Sequence, residues 1–315
     1  NLAANTISVT GRGVGINPND SRPYAGVAAG PGNQWLASAG ALSVRTLGGR
    51  MNFEDTVLTG GSVVLDSIEA FNASISHVTA TGDITVKGGG TGEGALSTDN
   101  STFNAGGVLS LTGVNASSGG GVALLAGTQL QGSSVLVSGT ATGATAVMAA
   151  GATGHITASG GPVVINGRGT VGGPAVEFTG GWVVQAGQID INTDNGLRLM
   201  PDSSSGNSPS FNASQAFKLA VVAPLGLTVG DGMPLLDGTA LGHALASMPA
   251  TSTATLNVTG NANTLAVRGP LDVPGRLRIE ADGIELQPGA LLSGGGSGDA
   301  VVLGGTSALP ASFMV

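Results

Sequence analysis

Apolar and polar residues alternate in short runs along most of this chain, and the runs come in threes. Val122-Ala-Leu-Leu-Ala-Gly is followed by Thr128-Gln-Leu-Gln-Gly and Ser134-Val-Leu-Val-Ser-Gly. The next three are Ala146-Val-Met-Ala-Ala-Gly, Gly154-His-Ile-Thr-Ala and Pro162-Val-Val-Ile-Asn-Gly. Then come Ala175-Val-Glu-Phe-Thr-Gly, Gly181-Trp-Val-Val-Gln-Ala-Gly and Gln188-Ile-Asp-Ile-Asn. Val122, Val147 and Val176 open successive passes, so the repeat is 25 and then 29 residues. A period in this range marks a solenoid, and three strands with three corners leave no room for a helix, which predicts a parallel β-helix. At about 25 residues per pass the chain makes about 12 passes and a rod about 60 Å long.

Within each run, neighbouring residues point to opposite faces. Ile84 and Val86 are therefore expected inside with Asp83, Thr85 and Lys87 outside, and Leu109 and Leu111 inside with Ser110 outside. Val122, Leu124, Val147, Val176 and Ile191 are expected core residues. Phe71-Asn-Ala-Ser, Phe103-Asn-Ala-Gly and Phe211-Asn-Ala-Ser read as repeated corners, and Ala300-Val-Val-Leu as a return of the Ala146 and Ala175 rungs. Residues 1–315 form one solenoid domain interrupted by excursions near 12–40, 197–215 and 229–253, where Pro, Gly and Ser break the pattern. In the last of these, Gly238–Met248 is expected to form a short helix stopped by Pro249. Asn5–Gly11 and Ser312–Val315 already read as rungs, so the chain is expected to be a segment of a longer solenoid, or to stack end to end with copies of itself through open strand edges.

Composition narrows the function classes. The chain has 315 residues, 56 of them Gly, no Cys, 10% charged residues and a net charge of −8. Zero Cys excludes a disulfide framework and thiol chemistry. The eleven Lys and Arg are scattered, so no basic stripe points to nucleic acid. No apolar run reaches the roughly 18 residues of a helical membrane span.

Runs such as Gly82-Asp-Ile-Thr-Val-Lys-Gly, Val108-Leu-Ser-Leu-Thr-Gly and Ser134-Val-Leu-Val-Ser-Gly resemble the filamentous-haemagglutinin-type repeats of bacterial two-partner-secretion exoproteins. They are also similar to the pertactin-like passengers of autotransporters. The resemblance implies a right-handed parallel β-helix, all-β, secreted or displayed at the bacterial surface. It also implies an outer-membrane secretion pore during export. An adhesin on a host-cell glycan or receptor, or on a neighbouring bacterial surface, is one implied role. A passive stalk of a contact-dependent toxin exoprotein is another.

Candidate chemistry is sparse. Asp190, Asn192 and Asp194 alternate along one run and offer oxygens to calcium, although the sixth and twelfth positions of an EF-hand loop are filled here by Asn195 and Pro201. Asn192-Thr-Asp is similar to a motif of polygalacturonases, which are β-helix enzymes, but no Asp-Asp pair occurs and His155 precedes it. A polysaccharide lyase or hydrolase is the alternative reading, yet no pair of carboxyls is set to flank a scissile bond, and no catalytic residue is assigned. His77, His155 and His243 lack metal spacing. Tyr24 and Trp35 in the first excursion, and Asp231 and His243 in the third, are the ligand-binding candidates, since loops carry function on rigid scaffolds. For the two aromatics, packing inside is the competing role.

Overall fold

The computed structural model describes residues 1–13, 25–90, 94–169, 174–223, 235–260, 264–281, 283–295, 300–304 and 312–314. Each pass lays down one strand on face A, one on face B and one on face C, and every pairing between passes is parallel. Face C is continuous. Ile7, Leu42, Val63, Ile84, Leu109, Val135, Val163, Ile189, Phe217, Ala254, Leu277 and Val301 follow one another in register. These twelve rungs at about 4.8 Å each span about 53 Å. The chain is thus a parallel β-helix, and Val122, Val147 and Val176 stack as expected.

The core is the sum of such columns. Val122, Leu124, Val147, Val176 and Ile191 are all buried, as are Ile84, Val86, Leu109 and Leu111. Face B turns two unequal columns inward. Trp35, Leu58, Val78, Phe103, Leu130, Ile156, Val184 and Phe211 form the large one. Two residues on, Gly60, Ala80, Ala105, Gly132, Ala158, Ala186 and Ala213 form the small one. Small side chains are required there because face C closes in: a methyl at Gly60 would lie 3.3 Å from Leu42 Cβ, and one at Gly132 3.3 Å from Leu109 Cβ.

The corners are equally regular. Between faces A and B a single residue turns the chain: Gly32, Asp55, Ile75, Asn100 and Gly127 take φ of 76°, 44°, 52°, 45° and 74°. Each donates its N–H to the pass above, as in Asp55 N–H to Ser74 O at 3.0 Å and Ile75 N–H to Asp99 O at 2.9 Å. The next residue is a buried hydroxyl: Thr56, Ser76, Ser101 and Thr128 are wholly inaccessible. Ser76 Oγ donates back across the corner to Ser74 O at 2.9 Å, and Ser101 Oγ to Asp99 O at 2.8 Å. Between faces C and A the strand ends pinch onto the next pass at Gly88, Gly113, Gly139 and Gly167, where any side chain would collide with the backbone of Ala95, Gly121, Ala146 and Ala175.

One element departs from the strand rule. Helix α1 spans Gly238–Leu245, capped by Asp237, whose Oδ1 accepts from Ala240 N–H at 3.0 Å. It packs between the strand beginning at Ser210 and the strand Pro270–Val273, in the place of one face B strand. Leu241, Ala244, Leu245 and Met248 fill the core there. A helix cannot extend a strand ladder, so Pro270–Val273 and Leu291–Gly294 form a separate two-stranded sheet beyond it. The expected helix is present.

Five expectations are corrected. Ala25–Ala29 and Asn33–Ala37, expected within an excursion, are ordinary rungs of faces A and B. The 197–215 excursion shrinks to 201–209, because Leu197–Met200 pairs with the strand Val176–Thr193 and a new strand starts at Ser210. In the third, Leu235–Asp237 is a strand and α1 follows. The phenylalanine segments are strands, not corners: Phe71 lies on face A, Phe103 and Phe211 on face B. Finally, Val301 pairs with Leu277 on face C, whereas Val147 and Val176 lie on face A.

Candidate functional site

Alternation places Asp190 and Asn192 side by side on the outer surface of face C, with Asp194 just past the strand end. Their polar groups do not converge. Asp190 Oδ2 accepts from Gln188 Nε2 at 2.8 Å, and Asp194 Oδ1 accepts from Gly169 N–H at 2.8 Å. Asn192 Nδ2 donates to Asn166 Oδ1 at 2.9 Å, and Asn166 Nδ2 donates to Ser138 Oγ at 3.2 Å, so Asn192 belongs to an amide ladder. Among the described residues no group of three His, Asp or Glu side chains is placed to hold a metal ion.

Trp35 is corrected as a ligand-binding candidate. It faces inward on its rung, 8% exposed, with its ring edge-on to Phe53 at 5.8 Å. Inward alternation within Asn33–Ala37 leaves no ring face for a sugar. Tyr24 and Asp231 lie outside the described residues. His243 is exposed in the last turn of α1, on an open groove of about 330 Å³ shared with Thr239 and Asp272. Asp272 Oδ1 accepts from Ser293 Oγ at 2.5 Å.

Charge is arranged by face. Face C carries Arg45 with Asp66 at 3.4 Å, and Arg278 with Glu280 at 2.7 Å. Hydrogen bonding from Arg278, aided by Asn257 Nδ2 at 2.7 Å, holds the Glu280 carboxyl below its ordinary pKa against partial burial. Face A carries Arg198 with Glu177 at 3.4 Å. In the 201–209 loop the Ser204 N–H and hydroxyl lower the Asp202 pKa.

Face B differs. Its first outer column runs Val57, His77, Thr102, Gln129, His155, Val183, Ser210. Its second runs Leu36, Thr59, Thr79, Asn104, Gln131, Thr157, Gln185, Asn212. None of these is an acid, a lysine or an arginine. His77, Asn104, Gln129, Gln131, His155 and Gln185 are all exposed. At the far end Ser210 Oγ and Asn212 Oδ1 are tied to Ser247, just after α1, so the helix terminates the strip. The sequence reading did not assemble these columns. Their signal is a pair of uncharged polar residues two places apart in most B-face runs, but Leu36, Val57 and Val183 interrupt it and unequal pass lengths leave the columns no fixed spacing. Comparison of this chain with family models, with curated proteins and with solved structures yields no match.

Proposed function

We propose that the chain is a non-enzymatic passenger of a secreted bacterial surface protein, an adhesin or scaffold that mediates attachment or displays a distal domain. The observation that carries this reading is the stack itself. Twelve face C rungs repeat in register, and one outer column, from Thr10 to Glu280, carries a polar or charged side chain on every rung but that of Ala220, spread along most of a rod about 53 Å long. Repetition of this kind builds a rigid spacer with an extended surface, whereas bond cleavage needs groups converging on one atom. The resemblance to filamentous-haemagglutinin-type and pertactin-like passengers supports the same role and the surface location. The test is a pair of assays on the purified chain. Cell-binding and glycan-array signals are expected, with no product released from acidic or neutral polysaccharides. Release of sugar products that is abolished by Asp190→Ala or Asp194→Ala would replace this reading with a polysaccharide-degrading one. Blank binding assays would reduce the protein to a stalk.

A further inference from the structure

We propose that the outer surface of face B is a ledge for a neutral polysaccharide chain lying along the rod axis. This deepens the adhesive reading and rests on it. Three observations carry it. First, charge: fifteen consecutive outer positions from Leu36 to Asn212 carry no carboxylate, ammonium or guanidinium, while faces A and C carry ion pairs on their outer surfaces. A polyanion would find no lysine or arginine there, and the net charge of −8 opposes its approach. Second, hydrogen bonding: the side chains of Asn104, Gln131, Thr157 and Gln185 project outward and make no hydrogen bond within the protein among the described residues. An amide supplies both donors and an acceptor, and a hydroxyl supplies both as well. Sugar hydroxyls have the same dual character, so a neutral glycan can satisfy them in pairs where a purely anionic or cationic ligand cannot.

Third, geometry. The column repeats at about 4.8 Å along a straight line, so its polar groups are evenly spaced for a linear ligand. Seven steps from Leu36 to Asn212 give a ledge about 34 Å long, room for a run of sugar units rather than a terminal one. The stretch ends where Ser247, just after α1, bonds Ser210 and Asn212, and the helix takes the place of the next face B strand. Single contacts of this kind are weak, and repetition along the chain multiplies them.

The test uses the intact chain and a panel of soluble polysaccharides. A β-glucan, a mannan and a xyloglucan are the neutral probes; polygalacturonate and heparin are the acidic ones. Binding to at least one neutral probe is expected, with an affinity that barely changes between low and high salt. The double variant Asn104→Asp with Gln131→Glu places two charges on the ledge without changing side-chain size. It should weaken that binding about tenfold or more, because a carboxylate only accepts hydrogen bonds, whereas each amide it replaces also donates to a sugar oxygen. Asn166→Asp on face C should leave it unchanged. Both variants are at the surface, and an unaltered unfolding midpoint confirms that they fold. Binding that is confined to the acidic probes, or that survives the double variant intact, overturns the proposal. A blank panel with persistent cell adhesion overturns the ledge and spares the adhesive reading; loss of both removes the two together.

Discussion

The Ser76 N–H donates to Ser101 Oγ at 3.1 Å, across one rung and 25 residues of sequence. The same relation links Thr56 N–H to Ser76 Oγ at 3.3 Å. The left-handed corner residue before each hydroxyl swings the following N–H out of line with the carbonyl that would otherwise receive it, and the hydroxyl of the next pass takes its place. The ladder is wholly buried, so water cannot substitute for a missing rung. Ser101→Ala should therefore cost about 1–3 kcal/mol, the penalty of an orphaned buried donor, read from the urea midpoint. An unchanged midpoint would remove the ladder from the account.

Ile75 offers the opposite case. It is a β-branched residue at φ 52° and is 52% exposed, stacked in a column otherwise filled by Gly, Asp and Asn. Left-handed backbone costs a β-branched residue about 1–2 kcal/mol, and here little burial offsets it. Ile75→Asn should raise stability by about 1 kcal/mol, measured in the same denaturation experiment.

The glycine pinch gives a third test. A side chain at Gly139 would collide with the carbonyl oxygen of Ala146, while one at Gly30 would meet nothing within 4 Å. Gly139→Ala should destabilise by about 1–3 kcal/mol or more, as overpacking against a rigid backbone does, and Gly30→Ala should be close to neutral. In the core, Val147→Asp should cost several kcal/mol and prevent folding of the neighbouring passes.

These effects separate what the sequence discloses from what it conceals. Val122, Val147 and Val176 were legible because an inward apolar position recurs with the same flanking corner. The helix at Gly238–Leu245 is legible from the run Gly238–Met248 and its Pro249 stop, whereas its Asp237 cap emerges only in the structure. Three prolines nearby make the stretch around Trp35 read as a loop, when the rung resumes at Ala25 and the ring takes the competing role of packing inside. Thr56, Ser76 and Ser101 look like surface residues in the sequence, and only the corner geometry turns them inward. The face B columns were hidden by unequal pass lengths: Met51 to Phe71 is 20 residues, Phe71 to Leu96 is 25, and Val147 to Val176 is 29. Insertions at the corners absorb the difference, so residues that share a face share no fixed spacing.

A pH dependence follows from Glu280. Its pKa is lowered in the folded protein by Arg278, so its contribution to stability is complete above the unfolded value and is lost as pH falls through the folded one. Arg278 is half exposed and Glu280 partly so, and solvent screening limits the contribution to about 1 kcal/mol or less. Glu280→Gln should be less stable than the native chain at neutral pH and equal to it in acid, with the two denaturation curves converging below the ordinary glutamate range. A gap that persists in acid would assign Glu280 a packing role instead.

The alignment of face B underlies both the fold and the proposed ledge, and one distance tests it. The chain has no native Cys, so Thr59→Cys with Gln185→Cys accepts two spin labels and nothing else. Thr59, Thr79, Asn104, Gln131, Thr157 and Gln185 are successive members of one outer column, five steps in all. Pulsed electron resonance should give one narrow distribution centred near 24 Å, five times the rung spacing of about 4.8 Å, despite a sequence separation of 126 between 59 and 185. A broad distribution, or a centre displaced by more than about one rung spacing, would contradict the stacking on which the ledge depends.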